Sequence, residues 1–183
     1  KEAGDTLGGI FELVALNLPV GLGSFVHWDR KLDGLIAQAI MSIPAIKSVE
    51  IGLGTGCAEY PGSKVHDEIY PKQDNTGNYY RKTNNAGGIE GGMTNGEPLI
   101  VKAAMKPIPT MKKPLKSINI ETGQEHLAHF ERSDVCAVPA AGVVGEAMLA
   151  NVLVNAFLEK FGGDSLSEIK ASYENYKKMY QSR

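Results

Sequence analysis

The sequence predicts an α+β domain with antiparallel strands and one long, largely buried helix. Two observations carry this. Runs rich in apolar and β-branched residues, at 8–16, 97–105 and 117–121, are bounded by tight glycine and proline turns. Strands so closely spaced pair as hairpins rather than through repeated βαβ crossovers. Residues 143–161 are apolar around most of a helix, with only Asn151, Asn155 and Glu159 forming a polar stripe. Such a helix is normally buried between sheets or at a subunit contact. At 183 residues, 43% hydrophobic and 22% charged, the chain has the make-up of a soluble globule forming a single domain, 1–183.

The elements follow in order. The strand at 8–16 ends at Pro19 and the Gly21-Leu22-Gly23 turn. From Leu32 to Ile43 the period becomes helical (Leu35, Ile36, Ala39, Ile40), with Asp29 as candidate N-cap and Pro44 as the stop. A short alternating strand, 48–51, leads to Gly52, Gly54 and Gly56. Residues 71–83 are polar and turn-rich, which predicts a mobile loop. After the strand at 97–105, residues 117–121 and 124–130 flank a Thr122-Gly123 turn and read as a hairpin. Gly162-Gly163 ends the long helix. Ser165-Leu166-Ser167-Glu168 is a capping box opening an exposed C-terminal helix, 165–183.

Two neighbouring stretches carry chemistry. Gly87, Gly88, Gly91 and Gly92 fall within six positions, so backbone there can approach a ligand with no Cβ in the way. In Lys106-Pro107-Ile108-Pro109-Thr110 the prolines fix their own φ and lack an N–H. That leaves the Lys106 ammonium, the Ile108 and Thr110 N–H groups and the Thr110 hydroxyl as a pre-set cradle for an anion. Between Pro98 and Ile120 there is no Asp or Glu, yet Lys102, Lys106, Lys112, Lys113 and Lys116 all lie there. On a chain of net charge −2, this local field suits a small anionic ligand better than nucleic acid. The alternative is a solvated lysine-rich turn.

Arg132-Ser133-Asp134 places a guanidinium and a carboxylate two apart in extended chain, on one side. An arginine fork suits phosphate or carboxylate, and Asp134 is a candidate proton acceptor. A structural ion pair is the alternative. The histidines are weak signals: His27 reads as packing, His126 and His129 fall on opposite strand faces, and a polar surface turn explains His66-Asp67-Glu68. No Walker loop, dinucleotide fingerprint or zinc spacing is present, so no metal is expected. Cys57 and Cys136 read as reduced thiols of a cytoplasmic protein, and no signal peptide precedes the first strand. The polar stripe of the long helix argues against a membrane span.

Taken together, the segments Gly21–Ser24, His27-Trp28-Asp29, Val49–Gly52, Asn84–Pro98, Ala103–Ile108, Arg132–Gly142 and Glu159–Ser165 closely resemble the chorismate synthase family. Gly-Gly-Met-Thr-Asn-Gly and Arg-Ser-Asp-Val-Cys-Ala-Val-Pro-Ala are its most specific motifs. The likeness runs nearly end to end here and covers the C-terminal half of the family's chain.

The resemblance implies a β-α-β sandwich, antiparallel sheets around a buried helical layer, assembled as a homotetramer. It implies a lyase of the shikimate pathway, in aromatic amino acid biosynthesis. The reaction would convert 5-enolpyruvylshikimate 3-phosphate to chorismate and phosphate by anti-1,4-elimination with reduced FMN, and NADP is an associated nucleotide. Carried over by motif, the FMN contacts are Pro44, Ala45, Gly91, Lys106, Pro107, Ile108, Pro109, Thr110 and Arg132. Arg132 and Asp134 are the catalytic candidates, Arg132 facing substrate phosphate or flavin and Asp134 near the flavin ring. Pro44 stands where the family often has Asn or Gln, so a side-chain contact there is lost. The family's catalytic histidines and most of its substrate-binding arginines belong to the other half, so this chain alone is expected to be inactive. A non-catalytic module for flavin, phosphate or assembly is the second reading.

Overall fold

A computed structural model describes residues 2–72, 79–131 and 134–181. Its centre is a three-stranded antiparallel sheet of β1 (Gly9–Ala15), β7 (Leu99–Met105) and β2 (Ile46–Ile51), with β7 in the middle. The register puts Phe11, Leu13 and Ala15 beside Ala103, Val101 and Leu99, and Val49 and Ile51 beside the same strand. Alternation sends these residues to one face. There they meet α1 (Leu32–Met41) and α3 (Val138–Phe161). Leu32, Ile36 and Ile40, at helical spacing on α1, are wholly buried with Leu99 and Val101.

The antiparallel α+β expectation holds, with differences in detail. The N-cap of α1 is Lys31, not Asp29, which lies in a 3-10 turn at Trp28–Arg30. Lys31 makes no side-chain cap. Instead the Leu32 N–H donates to the Gly92 carbonyl at 2.9 Å, so the glycine stretch serves one of the helix's orphan donors. A single helical turn, α2 (Gly62–Val65), leads to β3 (Ile69–Pro71), which pairs with β4 (Tyr79–Arg81). Part of the expected loop at 71–83 is therefore a hairpin, its Tyr70 and Tyr80 rings stacked at 5.8 Å. Residues 73–78 of that loop lie outside the described residues. The glycine stretch forms its own small hairpin, β5 (Ile89–Glu90) with β6 (Met93–Thr94). The expected hairpin near 120 is present as β8 (Lys116–Ile118) with β9 (Glu125–Leu127).

The largest departure concerns α3. It is long and apolar enough to cross a bilayer, by length and composition only. Here it lies along the sheet, burying Ala141, Gly145, Leu149, Ala156 and Phe161. Its opposite face is bare: Val143, Val144, Val154 and Leu158 are 67%, 49%, 55% and 45% exposed. The expected burial is thus one-sided. α4 (Leu166–Gln181) opens with the capping box the sequence shows. Ser165 N–H donates to the Glu168 carboxylate at 3.1 Å, and the Glu168 N–H returns a bond to the Ser165 hydroxyl at 3.3 Å. α4 turns Tyr173 and Tyr176 onto Phe161, centroids 5.2 and 5.4 Å apart, giving edge-on aromatic contacts.

Candidate functional site

At the end of β7 the chain enters the proline-stiffened turn, fastened at several points. The Lys106 N–H donates to the Ala45 carbonyl at 2.9 Å. Ala45 adopts a left-handed conformation, φ +70°, which costs an alanine about 1–2 kcal/mol. Held strain of this kind gathers at functional sites. The Ile108 carbonyl accepts the hydroxyl of buried Thr6 at 2.6 Å. The Lys113 N–H reaches Gly4 at 3.0 Å, and the Leu7 N–H reaches the Val135 carbonyl at 2.8 Å. The N-terminal segment 4–7 therefore stitches the turn to the segment that carries Asp134.

Ala45, Lys106, Pro107 and Ile108 are thus neighbours, with Asp134 on the adjoining strap. Asp134 is exposed, as are Pro44 and Pro109. Thr110 continues the same turn, half-buried and engaged. Neither the Lys106 ammonium nor the Ile108 N–H has a partner among the described residues. Of the five lysines in the acid-free stretch, Lys102 pairs with Glu12 at 3.7 Å and Lys116 with Glu125 at 3.6 Å. The positive field therefore narrows to Lys106, Lys112 and Lys113. Arg132 lies outside the described residues.

Gly91 is elsewhere. It caps the turn between β5 and β6, at φ +62°, with open space where a Cβ would stand. Its hairpin lies against the start of β7 and of α1, since Gly88 abuts Pro98 and Leu99, and Gly92 meets Lys31. Lys106 follows the other end of β7. β7 between them is seven residues long, about 20 Å from its first Cα to its last at roughly 3.4 Å per residue. By that spacing Gly91 and the Lys106 turn belong to opposite ends of β7. A cavity of about 310 Å³ lies at the Gly91 end, bounded by Gly23, Arg30, Met93, Glu159 and Lys160. Its Arg30 is engaged by Glu159, whereas Lys160 lies over the Phe161 and Tyr176 rings, so the lining keeps one cation in excess. Among the described residues no group of His, Cys, Asp and Glu is arranged to hold a metal ion.

Two residues organise the glycine hairpin, one that the sequence alone sets within a polar surface turn and one that it does not single out. Asp67 is one: its carboxylate accepts the Thr83 hydroxyl at 2.6 Å and the Asn85 and Ala86 N–H groups at 2.8 and 2.9 Å. Burial pushes its pKa up, but the Thr83, Ala86 and Asn85 bonds together outweigh it and hold the group below its ordinary 3.8. A depressed acid stabilises the fold above its unfolded pKa, and that contribution fades as pH falls through the lower folded value. Below about pH 4 the Asn85 and Ala86 amides are therefore expected to lose hydrogen-exchange protection before global unfolding, whereas in Asp67→Asn that acid step should be absent. Because Asp67 is substantially solvated, the stability cost of Asp67→Ala is expected near 1 kcal/mol, measurable by denaturant unfolding. The second residue is Arg81, whose guanidinium reaches Glu90 at 2.6 Å. No sequence spacing marks either, because their partners lie across a hairpin whose pairing is tertiary.

Comparison with known proteins agrees with these elements. The family model described as chorismate synthase matches residues 1–158. Chorismate synthase of Geobacter sulfurreducens is 60% identical over 183 residues, covering 96% of this chain and 46% of its own. That of Desulforamulus reducens is 64% identical, covering 93% and 44%, and that of Aquifex aeolicus 59%, covering 96% and 44%. A solved structure, "Crystal Structure of Chorismate Synthase", superposes with TM-score 0.81 at 51% identity, covering all of this chain and 46% of its own. The chain thus spans about half the length of the relatives it matches. With the motifs, the fold and these matches in agreement, the chain belongs to the chorismate synthase family.

Proposed function

We propose that this chain is the flavin-gripping part of an enzyme converting 5-enolpyruvylshikimate 3-phosphate to chorismate and phosphate by anti-1,4-elimination, with reduced FMN. The observation that carries the reading is the fastened turn at the end of β7. Ala45, Thr6 and Val135 fix its surroundings, while the Lys106 ammonium and Ile108 N–H are left without partners among the described residues. Such pre-set donors stabilise an anion with little reorganisation. These residues fit FMN, which carries a phosphate and an electron-accepting ring with polar edges. Pro44, Pro107, Pro109 and Thr110 shape the same wall.

Reduced flavin supplies electron density that stabilises charge developing as phosphate departs. The chain's own residues bind and orient: Lys106 and the Ile108 N–H hold negative oxygen, Arg132 adds a guanidinium, and Asp134 is placed to hold a proton at its carboxylate. Gly91, in the hairpin at the opposite end of β7, serves the flavin of a neighbouring copy in a homotetramer. The setting is cytoplasmic, with neither nucleic acid nor membrane as partner.

The test uses the chain extended to its relatives' full length. Lys106→Ala is expected to weaken flavin affinity about 5–150-fold, the worth of one charge-assisted bond, by absorbance titration. Unchanged affinity would remove the turn from the flavin site. Tight flavin binding with no release of phosphate from the enolpyruvyl substrate would favour the second reading, a non-catalytic flavin-binding module.

A further inference from the structure

The Arg81 side chain is only 8% exposed, yet just one of its nitrogens is occupied. Nη2 donates to Glu90, whereas Nε and Nη1 are buried without a hydrogen-bond partner among the described residues. Buried polar atoms are nearly always paired, and an exception calls for a reason. An ion pair buried only on its arginine side and satisfied this poorly is a weak stabiliser, because the desolvated guanidinium is compensated at one nitrogen by a half-exposed carboxylate. Stability therefore does not explain Arg81.

Its surroundings do. Glu90, the carboxylate it holds, immediately precedes Gly91 and also accepts the Asn95 side-chain amide at 2.9 Å. One carboxylate thereby ties together both legs of the glycine hairpin, and Arg81 anchors that carboxylate to β4. The same guanidinium acts electrostatically on Asp67, which secures the entry to the hairpin at Asn85 and Ala86, and on Tyr180 of α4. The Tyr180 hydroxyl lies 2.5 Å from that of Tyr79 on β4. Arg81 thus stands where β4, α4 and both anchors of the hairpin meet.

We propose that Arg81 is a positioning residue: through Glu90 it sets the height and tilt of the β5–β6 turn, and so where Gly91 presents its backbone to the flavin. This rests on the reading that Gly91 is a flavin contact. A guanidinium suits the task because its planar fork fixes direction, whereas lysine offers a swivelling point charge.

The experiment uses five variants of the chain extended to its relatives' full length: Arg81→Met, Arg81→Lys, Glu90→Leu, Arg81→Met with Glu90→Leu, and Gly91→Val. Arg81→Met should lower flavin affinity about tenfold with a thermal midpoint unchanged or raised, and should speed hydrogen exchange at the Thr94 and Asn95 amides. Arg81→Lys should recover part of the affinity. Glu90→Leu should lower the midpoint, because it leaves a buried cation unpaired. The double variant should restore the midpoint but not the affinity. A merely structural role predicts the reverse: Arg81→Met would lower the midpoint while flavin affinity stayed put, and that result would overturn the proposal. So would unchanged exchange at Thr94 and Asn95. Gly91→Val separates the two readings. If it leaves flavin affinity intact, the glycine turn is no flavin contact and the functional half of the proposal falls, whatever Arg81→Met does to exchange.

Discussion

Gly87→Ala is expected to destabilise the fold by about 3–5 kcal/mol, more than removal of most single contacts in a domain of this size. Gly52 and Gly87 press backbone to backbone where β2 ends and the glycine stretch begins. A Cβ on Gly87 would stand 2.2 Å from the Gly52 nitrogen and 2.4 Å from its Cα, and a Cβ on Gly52 would stand 2.2 Å from the Asn85 carbonyl oxygen. Both residues are also left-handed, at φ +63° and +61°. The obstacle is main chain, which has no rotamer to escape into. Relief would require parting Gly52 from Ile100 and Leu53 from Asn85, bonded at 2.9 and 2.8 Å. The thermal midpoint should drop by roughly 6–20 °C. Gly123→Ala is the control: φ is +68°, but nothing lies within 4 Å of its Cβ, so only the conformational cost of about 1–2 kcal/mol applies. Equal midpoints for the two variants would refute the steric argument.

The chain alone is expected to release no phosphate from 5-enolpyruvylshikimate 3-phosphate under anaerobic conditions with excess reduced FMN, while the extended chain turns over. The reasoning is chemical. Elimination needs a group to move a proton on and off the flavin side, and loss of a required acid costs orders of magnitude in rate, since a positioned one contributes typically 10²–10⁴-fold. Among the described residues, no histidine is hydrogen-bonded to the Lys106 turn: His27 precedes the 3-10 turn by α1, His66 closes α2, His126 lies in β9 with its Nδ1 against the neighbouring Leu127 carbonyl, and His129 follows β9 in an exposed position. Asp134 is the acid that the motif proposes there. Turnover by the short chain approaching that of the extended one would place the whole catalytic set within these 183 residues and overturn the division of labour proposed above.

Much of the fold was legible because local chemistry and tertiary demand agree. Leu32, Ile36 and Ile40 repeat at helical spacing and are all buried. The Ser165–Glu168 box caps α4 with bonds entirely within four residues. The hairpin around Thr122-Gly123 pairs as its alternation requires. Failures came where a partner distant in sequence decides. Asp29 lost the cap of α1 because Gly92, sixty-odd residues on, supplies an acceptor to Leu32. The 71–83 stretch looked like loop because pairing of Tyr79–Arg81 with Ile69–Pro71 leaves no strong apolar alternation. The site shows the same divide. Lys106 and its prolines announce a rigid anion cradle in five consecutive residues, whereas Thr6, which fixes that cradle from 102 positions away, has no local mark. Gly91 and Lys106 are close along the chain, but the extended strand β7 runs between them.

The sheet face turned away from the helices is ruled in three rows: Ile10 with Ala104 and Ser48, then Glu12 with Lys102 and Glu50, then Val14 with Ile100. Two greasy borders thus flank a central line that carries one positive and two negative groups. Any slab laid over this surface gains by covering the borders but must bring a cation or water to the middle, since stripping solvent from an unbalanced carboxylate is costly. A layer shifted along this face by a single rung would set its charges against methyl groups, so the stripe penalises slippage of whatever lies on it.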